Sequence, residues 1–369
     1  MKLGITTLAM AAAGVLAAQE APVVREGAYW VGSISDSFAI GPQSSLQVST
    51  RGTVVVKRGS GDQVAYRIRQ RVRAATEDRA RAMLGGGAKQ VTRLRGRTVL
   101  AIQPISADNV KTDLEITVPS QVSMLIIRTE VGEIDVAEFD GGLDLTTGGG
   151  EIQLGKIGGS VQCFSGAGQV AIEKTGGAIK CTTVGGNIAV RDAGGPVALS
   201  NQLGGNIRVD KAAGDVRAHS AQGMIEVGQS GGAVIADTQG GFIQVGSARG
   251  IQAESAAGMV RVKNDAGAMN LATMAGNILA ELLGGARIQD SSLVASGGDI
   301  TVLIPSNLAM TVMARNSSGN GPRIISEFPE IRVSSTKFFQ PLMAQGAING
   351  GGPVLNLSAT SGVIYLRRK

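Results

Sequence analysis

The chain has few aromatic residues: one Trp, three Tyr and seven Phe among 369 residues. Single-stranded nucleic-acid binding and ring-stacked sugar platforms both rest on aromatic faces, so neither is expected as the main design. Histidine occurs once, at His219. That excludes histidine-based metal sets and leaves any serine nucleophile a single candidate base. Two cysteines are too few for a disulfide framework or a thiolate metal site. Beyond residue 18 no apolar run is long enough to cross a bilayer, and no recognisable sorting motif or membrane anchor is present.

Glycine, by contrast, occurs 54 times, and much of it recurs in register. From about Gly132 to Val302 the pattern Gly-x-apolar-x-apolar returns about every nine residues, as at Gly150-Glu-Ile152-Gln-Leu154, Gly168-Gln-Val170-Ala-Ile172 and Gly186-Asn-Ile188-Ala-Val190. Stepping about 18 residues gives two apolar columns, one through Ile152, Val170, Ile188 and Ile207, the other through Val161, Ile179, Val197 and Val216. Apolar residues two apart share one face of a strand and leave the intervening residue on the other. The repeat therefore predicts an all-β, parallel β-solenoid with about 18 residues and two strands per coil. One coil cannot bury its own apolar face, so neighbours on both sides must complete it.

Two other period-matched folds fit less well. A six-residue repeat counted from Ile152 puts Gly158 where an apolar residue is needed. A calcium-binding roll needs Asp in each turn, whereas these turns read Gly-Gly-Asn, Ala-Gly-Gln and, in places only, Ala-Gly-Asp, so a calcium ladder is not expected.

Residues 1–18, with Lys2 ahead of an apolar run from Leu3 to Ala18, read as a signal peptide cleaved near Val15-Leu-Ala17. The mature chain is then expected to be exported, to the periplasm, the outer surface or the medium. Residues 27–119 lack the repeat and read as a β-rich cap, with a short helix opened by Thr76-Glu77-Asp78 and ended by Gly85-Gly-Gly87. Regular coils fill 120–305, and 306–369 read as irregular coils and a second cap. Phe328 to Gly352 is expected to be irregular, and the chain closes with Ser361-Gly-Val-Ile-Tyr-Leu366, a last coil on the same theme.

Charge is uneven, since residues 51–100 carry 13 Lys and Arg against three Asp and Glu. Within them Arg67, Arg69, Arg71 and Arg73 alternate with other residues, so a strand places all four on one face, and Arg93, Arg95 and Arg97 make a shorter run. A solvated cap face accounts for this, and the functional reading is an anion-binding face for acidic glycan or another envelope component. Seven carboxylates, Glu130, Glu133, Asp135, Glu138, Asp140, Asp144 and Glu151, gather at the first coils. They suit a hydrated coil better than paired acid and base groups.

Thr147, Ser165, Thr183, Ser220, Thr238, Ser255 and Thr273 recur at one corner with inward parity, which predicts a stacked hydroxyl ladder bonded to itself or to nearby backbone. His219 falls at an outward position and reads as a surface residue. Cys163 and Cys181 share one inward column a coil apart. Inward thiols acting as small apolar residues are the favoured reading, and the strand spacing of ~4.8 Å also permits a disulfide.

Val118-Pro119, Thr129-Glu-Val-Gly-Glu-Ile-Asp-Val136, the serial Gly-Gly-Asn-Ile coils, Ser296-Gly-Gly-Asp-Ile-Thr-Val-Leu-Ile-Pro305 and Ala359-Thr-Ser-Gly-Val-Ile-Tyr365 together resemble the bacterial exported β-solenoid domains known as adhesin-like and otherwise of unknown function. The resemblance covers most of the chain from about Phe38. It implies an envelope location and a non-enzymatic role, and supplies no catalytic, cofactor or metal residues. The expected function is non-catalytic, adhesin-like surface binding. Two alternatives are a periplasmic scaffold that self-associates end to end and a polysaccharide-acting enzyme using the carboxylates in 130–151.

Overall fold

The computed structural model describes residues 19–20, 22–84, 89–94, 97–102, 110–318, 323–334 and 341–369. The leader and its cleavage site, the Gly85–Gly87 helix stop and Arg95 lie outside the described residues.

The protein is a parallel β-solenoid of two facing sheets, with 18 and 17 strands among the described residues. Each coil gives one strand to each sheet. Ile152–Ile157 pairs in parallel with Val170–Thr175 in the first sheet, Ile152 opposite Val170 and Leu154 opposite Ile172. Val161–Ser165 pairs in the same way with Ile179–Thr183 in the second. Inward residues are buried and outward ones exposed in alternation along Val161–Ser165, as the period-2 pattern requires, and Val170–Thr175 departs from it only where Glu173 and Lys174 are both exposed before buried Thr175. The inward columns form one continuous core from Ile40 to Leu366.

The corner between the sheets is built by glycine and a hydroxyl together. At Gly168 an added Cβ would lie 2.0 Å from the Gly150 carbonyl oxygen of the preceding coil, so only glycine lets the coils approach. Ser165 Oγ donates to that same Gly150 carbonyl at 3.0 Å and accepts from the Gly168 N–H at 2.9 Å. Thr147, Thr183, Thr238, Ser255 and Thr273 make the equivalent pair of bonds. The ladder thus bonds to backbone, and it satisfies groups that the sheet ladder leaves unpaired at the bend. Asn201 occupies the same rung, donating from Nδ2 to Gly186 and accepting at Oδ1 from the Gly204 N–H. Cys163 and Cys181, one coil apart with Cα atoms 4.6 Å from each other, are joined in a disulfide. Direct stacking brings their Cα atoms within bridging range, so the bridge and not the thiol pair is what this column holds.

At both ends the order of coils in space departs from their order in sequence. Strands Ser44–Thr50 and Val54–Gly59 pair in parallel with Val122–Thr129 and Ile134–Phe139 on one side, and with Arg97–Ile102 and Val110–Pro119 on the other. The first coil in sequence therefore lies second in space. Antiparallel strands cover the outer coil: Gln63–Val72 against Val110–Pro119, Tyr29–Ala39 against Gln63–Val72, and Lys89–Leu94 against Arg97–Ile102. Helix Glu77–Leu84 starts where Thr76 Oγ1 accepts from the Arg79 N–H, and it packs Ala80 and Leu84 beside Val72.

The other end mirrors this. Val354–Ala359 and Ile364–Arg368 insert between the coil Ser291–Ala295/Ile300–Ile304 and the coil Met310–Asn316/Ile324–Ser326. The last coil in sequence is thus next to last in space. The stretch expected to be irregular contains the strand Leu342–Ile348, antiparallel to Met310–Asn316 and to the short strand Arg332–Ser334.

Candidate functional site

On strand Gln63–Val72, Val64, Tyr66, Ile68 and Val72 are buried, and Arg67 and Arg69 are exposed on the other face. Arg73 lies just past the strand, its guanidinium 4.8 Å from the centre of the Tyr29 ring. Arg69 pairs with Glu26 at 2.5 Å and Arg71 with Asp113 at 2.6 Å. Arg67 stands opposite Glu115 and reaches Ser35 Oγ at 3.4 Å. Glu115 is held below the usual carboxylate range, chiefly by its hydrogen bond from Lys57 and further by the charges of Lys57 and Arg67, against a smaller opposing effect of burial. A groove of about 550 Å³ runs beside these residues, with Lys57, Arg67 and Arg69 interleaved among Glu26, Asp113 and Glu115. The face is therefore one of mixed charge. Its acids come from neighbouring antiparallel strands, which the alternation within one strand could not reveal.

A second, larger trough of about 620 Å³ lies along the outward face of the first sheet, and sequence reading missed it. Ala137, Gly155, Ala171 and Ala189 make its floor, one small residue per coil. Asp135 and Gln153 stand at one end, and Arg208 with Asp210 at the other. The signal was available in the sequence, because the register Gln153, Ala171, Ala189, Arg208 drops to alanine for two coils between longer polar residues. Arg191 pairs with Glu173 at 3.6 Å, and Arg208 with Asp210 at 2.7 Å and Glu226 at 3.3 Å.

The carboxylates near the first coils are spread among arginines. Arg51 takes Glu130 at 3.2 Å, Arg58 takes both Glu138 and Asp140, and Arg128 holds Asp144 with two bonds on the other sheet. Glu151 is contacted by Gln153 and Gln169. Among the described residues no group of three or more His, Cys, Asp and Glu is placed to hold a metal ion. His219 is exposed as expected, and its Nδ1 bonds Asp237 one coil on. Among the described residues no helix is long and apolar enough to cross a membrane.

No family model and no curated protein matches the chain. Among solved structures it is similar to a "putative adhesin" from Bacteroides fragilis NCTC 9343, at 16% identity over 73% of this chain and 97% of that one, with a TM-score of 0.24. A "putative cell adhesion protein" from Clostridium sporogenes ATCC 15579 matches at 7% identity over 91% and 99%, with a TM-score of 0.18. A "putative lipid binding protein" from Parabacteroides distasonis ATCC 8503 matches at 11% identity over 91% and 96%, with a TM-score of 0.21. Likeness at these scores carries no functional argument, which must rest on the residues themselves.

Proposed function

We propose that the protein is an exported, adhesin-like binding protein of the bacterial envelope, and that it takes glycan in the trough of the first sheet. The observation that carries this reading is the trough itself. Four consecutive coils present a floor of small residues flanked by carboxylate, amide and guanidinium groups, of which Arg191 and Arg208 are already ordered by pairing. Ordered donors and acceptors of both signs suit the hydroxyls of a sugar chain better than they suit a polyanion. The arginine face, with two of its four guanidinium groups tied to acids, is a second seat for an acidic glycan. Antiparallel strands cover three of the four terminal sheet positions, and the fourth edge, Ile324–Ser326, is three residues long. Such ends speak against end-to-end polymerisation.

Protease shaving of cells carrying a tagged copy tests the location. Loss of the tag on intact cells is the expected result, and protection until the envelope is opened overturns the surface reading. Glycan-array binding by the purified chain tests the seat. Ala171→Trp with Ala189→Trp fills the trough and is expected to abolish binding, whereas Arg67→Ala with Arg69→Ala is expected to weaken only acidic ligands.

A further inference from the structure

The single histidine lies on the outward face of the second sheet, away from both grooves. Ser200 faces it from the strand before and Asp237 from the strand after, in direct register. His219 Nδ1 is hydrogen-bonded to Asp237 Oδ1. The two nitrogens of an imidazole point nearly opposite ways, so with Nδ1 on Asp237 the Nε2 faces away from that carboxylate; among the described residues no hydrogen bond joins it to Ser200 Oγ, and the pair has to close to one when a substrate binds. With parallel strands ~4.8 Å apart, three consecutive coils line up a hydroxyl, an imidazole and a carboxylate. Cross-coil ion pairs elsewhere, such as Lys174 with Asp192 and Arg191 with Glu173, join two opposite charges and need no third member. Here the row carries a potential nucleophile beside the base.

The surroundings fit small-ester chemistry. Four strands shape a mostly apolar hollow of about 220 Å³ that includes Ala198, Ala218 and Ile235 as well as the three residues of the row. Arg217 lies on the same face, two residues before His219 on its strand. Backbone N–H groups of the sheet are committed to the ladder, so the charge that develops on a substrate carbonyl oxygen falls to the Arg217 guanidinium.

We propose that Ser200, His219 and Asp237 form a hydrolytic site for short-chain acyl esters, an activity beyond glycan binding. Ser200 Oγ bonds to the ester carbonyl carbon while His219 Nε2 takes the hydroxyl proton, and the carbonyl electron pair moves to oxygen. Collapse of that intermediate breaks the carbon–oxygen bond to the alcohol, which leaves with the proton from Nε2. Water then attacks the acyl-serine and gives a proton to Nε2. The second collapse releases the carboxylic acid and returns that proton to Ser200 Oγ. Asp237 stays ionised throughout and holds the imidazole. Ester and water are consumed, acid and alcohol are formed, and no other reactant is required.

The test uses the full-length mature chain with 4-nitrophenyl acetate and, separately, a fluorophosphonate probe followed by peptide mass spectrometry. Phosphonylation at Ser200 is expected. Ser200→Ala and His219→Gln are each expected to lower ester hydrolysis about 100-fold or more. Circular dichroism and the melting temperature should stay unchanged, because both side chains lie on the outward face. Absence of labelling, labelling at another residue, or unchanged hydrolysis in Ser200→Ala overturns the proposal. Loss in His219→Gln with no loss in Ser200→Ala also overturns it, by making the imidazole itself the nucleophile. Should Ser200→Ala fail to fold, the labelled position in the intact chain decides.

Discussion

The middle of this solenoid and its two ends obey different rules. From Ile152 to Thr273 every strand pairs with the copy about 18 residues before it, and one rung can replace another, as Asn201 replaces a hydroxyl. At the ends the partners are distant in sequence: Ser44–Thr50 meets Val122–Thr129, and Ser291–Ala295 meets Val354–Ala359. Repetition spreads stability over many nearly equal interfaces, whereas the out-of-order coils concentrate it in a few long-range pairings.

The sharpest way to break that comparison is to remove nearly the same length of chain from each region. Deleting Met224–Gly241, one full period, joins Gly223 to Phe242-Ile243 and restores the corner pattern. That variant is expected to fold with a modestly lower melting temperature. Truncation after Gly352 empties the place between two coils and strips ladder bonds from both. The expected result is loss of protection across 291–326 in hydrogen exchange and rapid proteolysis there. Equal effects from the two deletions would contradict the distinction.

A smaller effect probes the middle alone. Ser165→Ala removes only the hydroxyl, and with it the bonds to the Gly150 carbonyl and the Gly168 N–H. Two buried groups left unpaired should cost about 1–3 kcal/mol each in urea unfolding, while Ser165→Thr should be close to neutral. The smallest effect probes the C-terminal end. Glu281 is held below the usual carboxylate range, first by the hydrogen bond from Lys369 and then by the charges of Lys369, Lys263 and Arg261, with burial opposing. Its folded pKa lies below its unfolded one. Its stabilisation is therefore complete above the ordinary Glu range and is lost as pH falls through the depressed value. Glu281→Gln should flatten that part of the acid limb in a stability-versus-pH series and leave neutral-pH behaviour nearly unchanged.

How much was legible in the sequence follows the same division. The period, the inward columns and the hydroxyl rungs from Thr147 to Thr273 could all be read, because each is set by a contact with the next coil. Asn201 was not read because its rung is an amide, although it stands one ordinary period of 18 residues after Thr183. The threading of the ends left no trace in any periodicity, because pairing between 44–59 and 97–139 depends on which strand arrives beside which. For the candidate sites, alternation identified the face of Arg67 and Arg69 but not its neutralisation by Glu26 and Asp113. The row through His219 was within reach by stepping one coil in each direction from the only imidazole.

Insertion of the terminal pieces one place in from each end also fixes where the molecule can change over generations. A duplication or loss of one period in the middle alters the rod by one strand spacing, about 4.8 Å, and disturbs neither closure. An added period beyond Arg368 would find no open coil to join, because the strand it would extend already lies between two others. Length is thus the property that descent can vary freely, while both ends pass on unaltered.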